Sequence, residues 1–371
     1  MSFDATIIGA GPAGSAAARL LAQAGWRVAL VEKTEFPRRK VCGEFISAPT
    51  MTVLETCGIA APFLAAAGPA VTHIGAWAGK AMLIAPRQQV WGRALGREHL
   101  DTLLRDAAIA AGAELFQPAE IMDLRREGED YRCLLNGGRA ITSRMVIAAC
   151  GSWNSKGVFA AARDAAPSDL FAFKAHFLHA ALPAGLMPLL AFPGGYGGLV
   201  QSDGGRVSLS CCIRRDALAR VRARHGGKAG EAVLAHIMET TKGVRLALES
   251  AVPDGHFLST GPIHPGIRHL RDGNIFFTGN IAGEAHPVIA EGISMAIQSS
   301  GLLAKLLISH RSEVYEREWK RRFAPRIRAA SLFAHLAMSG AGRFAGRAVI
   351  GAAPGLLGLG ARLSGKLPAA A

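Results

Sequence analysis

Three glycines within six residues, in Gly9-Ala10-Gly11-Pro12-Ala13-Gly14, follow the apolar run Phe3 to Ile8 and open an Ala/Leu-rich segment that reads as a helix to Ala24. These residue types at this spacing suit the seating of a pyrophosphate. Gly9 permits the tight turn, Gly11 lets backbone approach the phosphates, and Gly14 lets helix and strand pack closely. The free amides and positive dipole end of the helix face the same anion. Glu32 follows the next strand, Val28 to Val31, where a carboxylate accepts hydrogen bonds from ribose hydroxyls and repels a 2′-phosphate. A Gly-rich turn without a ligand is the plain alternative, and motif, context and acidic partner together disfavour it.

Strand, glycine turn, helix and strand in that order are the opening of a doubly wound parallel sheet, so the fold class is α/β with a Rossmann-like dinucleotide domain. A second helix is expected from Arg97 to Ala111, where Leu100, Leu103, Leu104, Ala107 and Ala111 recur at helical spacing. Met145 to Ala149, leading into Cys150-Gly151-Ser152, reads as another parallel strand ending in a turn, and Ile275 to Thr278 repeats the pattern. Residues 60–95 and 160–262 are richer in Gly, Pro, Phe and alternating patterns such as Arg206 to Ile213, and read as an inserted β-sheet substrate domain. That leaves 1–59, 96–159 and 263–310 as a discontinuous dinucleotide-binding domain, with a helical, basic tail over 311–371. Within the tail, Arg311 to Arg328 reads as a charged helix broken at Pro325, and the glycines beyond it argue against a long helix.

The 371 residues, half of them hydrophobic, can bury a real core and exclude a disordered or fibrous chain. A formal charge of +14 would suit an anionic partner, yet more than half of the excess lies beyond residue 310 and the body is mildly basic. The basic residues lack aromatic interleaving, so no nucleic-acid partner is expected. Cys42, Cys57, Cys133, Cys150, Cys211 and Cys212 form no CxxC pair and have no histidine at zinc spacing, which predicts neither a metal site nor a disulfide framework. A cytoplasmic protein without a signal peptide is expected, and no apolar stretch reaches the ~18 residues of a membrane span. Between Arg343 and Lys366, arginines alternate with Phe344, Val349, Ile350, Leu356, Leu357, Leu359 and Leu363. Such a tail could lie on an anionic membrane, giving a peripheral contact, or cap a lipophilic cavity. Poor order is its plain alternative, and the oligomeric state is left open.

Taken together, Gly9 to Gly14, Glu32-Lys33, Phe36-Pro37-Arg38-Arg39-Lys40-Val41-Cys42-Gly43-Glu44, Arg97 with Asp101, and Gly279 to Ser299 resemble the geranylgeranyl reductase and aromatic hydroxylase superfamily of FAD enzymes over about residues 1–310. The resemblance implies a glutathione-reductase-like FAD-binding fold. The family's second flavin motif reads roughly GDAAGxxxPxxGEGIxxAxxS. Here it departs at Asn280, whose carbonyl can still accept a ribityl hydrogen bond without charge, and at Ala290, in place of a glycine. By the same resemblance Gly279 would bind the cofactor, next to Asn280 at the ribityl chain. Gly292 and Ile293 would open a helix facing the flavin pyrimidine ring, and Arg97 would reach the cofactor from its helix start. Lys33 and Gly43 are counted with them. Arg39 and Lys40 could contact phosphate or be loop charges.

The resemblance also places Cys42 beside the isoalloxazine, with a buried structural cysteine as the alternative. His286 and Pro287 would lie over the flavin face, where the histidine could donate a proton, although lone histidines are usually structural. Pro193 to Gly198 would line the substrate cavity with Tyr196, unless it is only a tight sheet corner. No second GxGxxG follows a strand, so NADPH or NADH would visit transiently. The WxWxIP signature of flavin-dependent halogenases is absent, since Trp26, Trp77, Trp91, Trp153 and Trp319 are isolated. The resemblance implies an FAD-dependent oxidoreductase acting on a small lipophilic substrate. Hydroxylation of an aromatic or polyketide metabolite by an NAD(P)H-dependent monooxygenase is favoured narrowly. Reduction of carbon–carbon double bonds in an isoprenoid is the rival, and a basic flavin- or nucleic-acid-binding protein without catalysis is remote.

Overall fold

The computed structural model describes the chain except residues 86–89, 152–157, 160–163, 354, 357–359, 361–364 and 366–371, and describes 347 and 350 without their side chains. Ser152, Trp153, the Ile350 side chain, Leu357, Leu359, Leu363 and Lys366 therefore lie outside the described residues.

Two sheets organise the molecule. In the first, parallel strands run in the order Ile275–Phe277, Ala140–Ala148, Ser2–Ile8, Val28–Val31 and Glu114–Phe116. Ile7 stands opposite Leu30 on one side and Ile147 on the other, and Val28–Val31 and Val146 to Ala148 read as continuous apolar runs because both faces are covered. The chain builds outward from Ser2–Ile8 in one direction and then returns to its other side with Ala140–Ala148. The sheet thus has a topological switch at Ile8 and Ala148, where open α/β sheets receive ligands beyond their carboxyl ends.

Helix Pro12–Gln23 starts with Pro12 at its first turn and buries Ala13, Ala16, Ala17, Ala18 and Leu21. Proline is tolerated there because its missing N–H is an orphan donor in any helix. The small face lets the helix lie close on the sheet: a Cβ at Gly14 would fall 1.8 Å from the Gly9 carbonyl oxygen.

The second sheet is antiparallel but for one pair, with the order Val252–Pro253, Leu170–Leu178, Val207–Arg214, Gly195–Gln201, Leu186–Phe192, His73–Ala78 and Ala81–Ile84. Phe173, Ala175 and Phe177 alternate onto one face and join a core with helices Arg215–His225, Ala229–Thr240 and Lys242–Leu248. These three helices lie within a stretch expected to be sheet-based. They cover the apolar face that a single sheet cannot hide by itself. Residues 172, 174 and 176 point the other way, Ala172 onto the cavity described below and Lys174 and His176 onto Glu44.

The expected break at Pro325 does not occur: helix Tyr315–Met338 continues through it. Trp319, Phe323, Ile327, Ala330 and Ala334 bury one face in the core of the first sheet, and that packing outweighs the roughly 3 kcal/mol cost of an interior proline. A further helix, Gly340–Ala352, forms despite its glycines. Its cap is Ser339, whose Oγ accepts from the Gly342 amide at 2.9 Å. No helix among the described residues is long and apolar enough to cross a membrane.

Candidate active site

A cavity of about 560 Å³ opens where the first sheet switches direction and runs on to the second sheet. The turn after strand Ser2–Ile8 forms part of its wall. Gly9 takes φ +100°, and a Cβ there would meet the Ala149 carbonyl oxygen at 2.8 Å. Gly11, at φ −71°, is different. Its missing side chain would point into space, the nearest atom being an Arg97 guanidinium nitrogen at 3.8 Å. Helix Pro12–Gln23 has no side-chain cap and no acid in its first turn, so its leading amides are left for a ligand.

Cations gather at this end. Arg38, Lys40 and Arg97 line the cavity. Burial, then the neighbouring Arg38 and Arg97 charges, pushes Lys40 below its ordinary value. Burial likewise opposes the Arg97 charge, but Asp101 and then the Cys42 sulfur more than offset it. Arg97 is clamped by Asp101 through Nε at 2.7 Å and a terminal nitrogen at 2.8 Å. Glu32 accepts from the Ala10 amide at 2.9 Å, the Thr34 hydroxyl at 2.6 Å and Arg38 at 3.3 Å. Burial works to raise its carboxyl, and the Thr34 hydrogen bond with the Arg38 charge holds it below the usual range. Free amides, a glycine opening and a cluster of three cations beside an ionised ribose acceptor fit an anionic dinucleotide such as FAD.

Among the cofactor residues expected from the sequence, Gly9, Gly11, Ala13, Glu32, Lys33, Arg39, Cys42, Gly43, Arg97, Asn280, Gly292 and Ile293 are brought to the cavity wall. Gly14 and Gly279 are not on it and act as spacers: a Cβ at Gly279 would sit 2.9 Å from that of Ala13. Lys33 is mostly exposed and 3.8 Å from Glu120, while Arg39 is engaged by Glu98 and Asp254 at 3.3 and 3.2 Å. The amide of Asn280 donates to Glu284 at 3.3 Å. Ala290 holds φ +51°, a left-handed conformation that a glycine would take without strain. Helix Gly292–Ile308 starts at the cavity, tied to strand Phe45–Ser47 by Ser47, whose hydroxyl donates to Glu291 at 3.0 Å and whose amide donates to Ser294 at 2.9 Å.

Cys42 faces the cavity and its Sγ accepts from the Glu44 amide at 3.4 Å. Glu44 is the anchor of that loop. It is fully buried at φ +61° and its carboxylate meets Lys174 on one oxygen and His176 Nε2, at 2.9 Å, on the other. Burial would raise the Glu44 carboxyl, and His176 with Lys174 pulls it down to about 2. Lys174 and His176 were missed in the sequence. Their signal was two polar residues two apart in the otherwise apolar strand Leu170–Leu178, which puts both on one face.

Tyr196 lines the cavity and is 1% exposed. Its hydroxyl lies 3.2 Å from His286 Nδ1. Pro287 is on the wall, whereas His286 is behind Tyr196, between it and His335, with ring centroids 6.2 and 6.1 Å away. Burial, then His335, pushes His286 down to about 4. Between pH 6.5, its ordinary value, and about 4 the buried imidazole stays neutral where an unfolded one charges, so the folded chain binds fewer protons than the unfolded one in that window. Stability should therefore decline by on the order of 3 kcal/mol from about pH 6.5 to 4. His286→Asn should flatten that limb, and urea melts at pH 7 and pH 5 would show it; an unchanged limb would contradict the assignment.

Comparisons with known proteins agree with this geometry. Residues 2–158 match the family described as FAD binding domain. The chain is 24% identical over 343 residues to a menaquinone reductase of Mycolicibacterium smegmatis, covering 85% of this chain and 79% of that one. It is 26% identical over 329 residues to digeranylgeranylglycerophospholipid reductase 2 of Methanopyrus kandleri, covering 80% and 74%. The solved flavin-dependent brominase Bmp2 superposes with a TM-score of 0.81 at 19% identity over 99% of this chain and 94% of that one, a likeness of fold. With its glycine turn, its cationic cavity at the sheet switch and these relatives, the chain is an FAD-dependent oxidoreductase that carries an FAD binding domain over residues 2–158.

Proposed function

We propose that this enzyme reduces carbon–carbon double bonds in an isoprenoid or related lipophilic molecule. The observation that carries the reading is Cys42 on the cavity wall beside Arg97, in a loop anchored by buried Glu44. The reductase names of two relatives spanning most of the chain support it. Bound FAD supplies hydride equivalents, drawn from NADPH or NADH that visits transiently. The leading amides of helix Pro12–Gln23 with Arg97 and Lys40 hold the diphosphate, and Glu32 takes ribose hydroxyls. Met187, Leu189, Val200, Leu258 and Ile263 line the cavity's second-sheet side and would strip water from an alkyl chain. The Cys42 thiol would supply the proton to the carbon that does not take the hydride. Burial pushes the other cavity thiols up, Cys150 to about 11 and Cys211 to about 12, which keeps them protonated.

Hydroxylation of an aromatic metabolite is the second reading, favoured by Pro287 and Val288 on the cavity wall, in the loop that the resemblance assigns to the flavin face. One experiment separates the two. Pre-reduced enzyme mixed anaerobically with a geranylgeranyl lipid should be reoxidised and yield a product two hydrogens heavier. Reoxidation only after O2 is admitted, with a product one oxygen heavier, would overturn the reductase reading. Cys42→Ala should slow the anaerobic step roughly 10²-fold or more while FAD affinity stays within about threefold.

A peripheral membrane contact fits the same reading. Phe344 and Val349 on helix Gly340–Ala352, with Leu332 and Leu336 on helix Tyr315–Met338, are exposed. Arginines lie among them, the composition of an interfacial surface. Binding to anionic vesicles should exceed binding to zwitterionic ones about tenfold at low salt and decline as salt is added. Equal binding to both would remove this contact from the account.

A further inference from the structure

The outer helices of the second sheet carry a cluster that cysteine and histidine spacing did not reveal. Helix Arg215–His225 ends on His225, and helix Ala229–Thr240 presents His236 and Glu239 three residues apart on one face. One ligand atom from each of the three lies within 4.8 Å of the others. None of the three lines the flavin cavity.

We infer that His225, His236 and Glu239 form a binding site for a divalent transition metal of the Zn²⁺ class, which staples the helical layer to the hairpin that lines the cavity. Three observations carry this. His236 Nε2 is 3.0 Å from the Pro193 carbonyl oxygen, so Nε2 carries the proton and Nδ1 is left with a lone pair. A metal-ligating imidazole is oriented in this same way, by donating its other N–H to a carbonyl. His225 Nε2 is buried and makes no hydrogen bond, although Glu239 Oε2 is only 3.5 Å away. The nitrogen and oxygen therefore face one another without satisfying either, as two ligands of one ion do. Arg224 occupies the other carboxylate oxygen of Glu239 and is itself well exposed, which leaves Oε2 for the metal.

Two imidazoles and one carboxylate suit Zn²⁺, with a water in the fourth position. Drawing ligand atoms from at most 4.8 Å apart to the roughly 3.3 Å of a tetrahedral site is within reach of side-chain rotation, because Glu239 is exposed. The consequence for the enzyme runs through Pro193. That residue precedes strand Gly195–Gln201, whose Tyr196 is on the cavity wall. The His236 ring also packs edge-on against Phe192, with centroids 5.9 Å apart. A metal here would fix the first end of that turn, at Phe192 and Pro193, as a structural ion set apart from the redox centre.

The test uses the FAD-loaded chain washed with chelator and titrated with Co²⁺. One equivalent should bind with the intense visible band of four-coordinate Co²⁺ and without a thiolate charge-transfer band, and Zn²⁺ should displace it. Saturating Zn²⁺ should raise the melting temperature of the chain. His225→Gln and Glu239→Gln should each weaken Co²⁺ binding at least tenfold and abolish the Zn²⁺ stabilisation, with flavin content unchanged. Glu239 is exposed, so its substitution leaves the fold intact. Weak, non-saturating Co²⁺ binding would overturn the assignment, as would binding indifferent to both substitutions or a thiolate band reporting capture by cysteine.

Discussion

Glu44→Ala should destabilise the protein by about 3–5 kcal/mol, because it strands an ammonium and an imidazole in the interior. Lys174 is 1% exposed and His176 3%, and Glu44 is the carboxylate both of them meet. The expected fall in melting temperature is roughly 5–10 °C. Pairing Glu44→Gln with Lys174→Met should recover most of it, since removing both charges also removes the cost of desolvating them. If Glu44→Ala melted within a degree of the parent, the buried pairing would be wrong. A functional consequence accompanies the structural one. The Glu44 backbone amide donates to Cys42 Sγ, so loss of the anchor should slow flavin reoxidation by substrate even in the stability-restored double variant. The group has a pH signature as well. A carboxyl lowered from 4.5 to about 2 in the fold stabilises fully above pH 4.5, and that contribution is lost as pH falls through 2. It lies below the window of His286, so acid unfolding should show two limbs.

Gly11→Val should abolish FAD binding, by at least about a hundredfold or roughly 3 kcal/mol, while leaving the empty fold nearly unchanged. The φ of −71° at Gly11 is open to any residue. A Cβ there meets nothing closer than Arg97 at 3.8 Å, so the added side chain intrudes only where the diphosphate would sit. Gly14→Ala makes the opposite control. Its Cβ would fall 1.8 Å from the Gly9 carbonyl oxygen, so helix and strand must separate and stability should drop by about 1–3 kcal/mol together with flavin content. Thermal melts of the two flavin-free variants distinguish the roles. An equal loss of stability in both would mean that Gly11 serves packing rather than a ligand.

What could be read from the sequence follows how far apart the cooperating residues lie. Gly9 to Gly14 sit in one turn and their partner Glu32 ends the adjacent strand, so residue type and spacing alone expose the site. The helix at Arg97 and the helix start at Gly292 were legible for the same local reason. Glu44 meets Lys174 across 130 residues of sequence, and only the packing of the two sheets brings them together. His286 shows the converse. Its motif position suggested the flavin face, yet Pro287 turns onto the wall while His286 turns behind Tyr196, a choice of side-chain direction that no spacing encodes. Pro325 misled because its cost is local and the burial that outweighs it, of Trp319, Phe323 and Ile327, is tertiary. The histidine and glutamate cluster escaped notice because its ligands come from two helices whose relative placement is set by the sheet beneath them.

That a turn of bare amides holds the ADP half of the coenzyme is checked by fluorescence titration of the flavin-free chain with FAD, FMN and riboflavin. Saturation by one FAD per chain is expected, with FMN and riboflavin at least a hundredfold weaker because they lack the adenylate that the Gly9 to Gly14 turn and Glu32 would hold. Comparable affinity for all three, or no saturable binding of FAD, would contradict it.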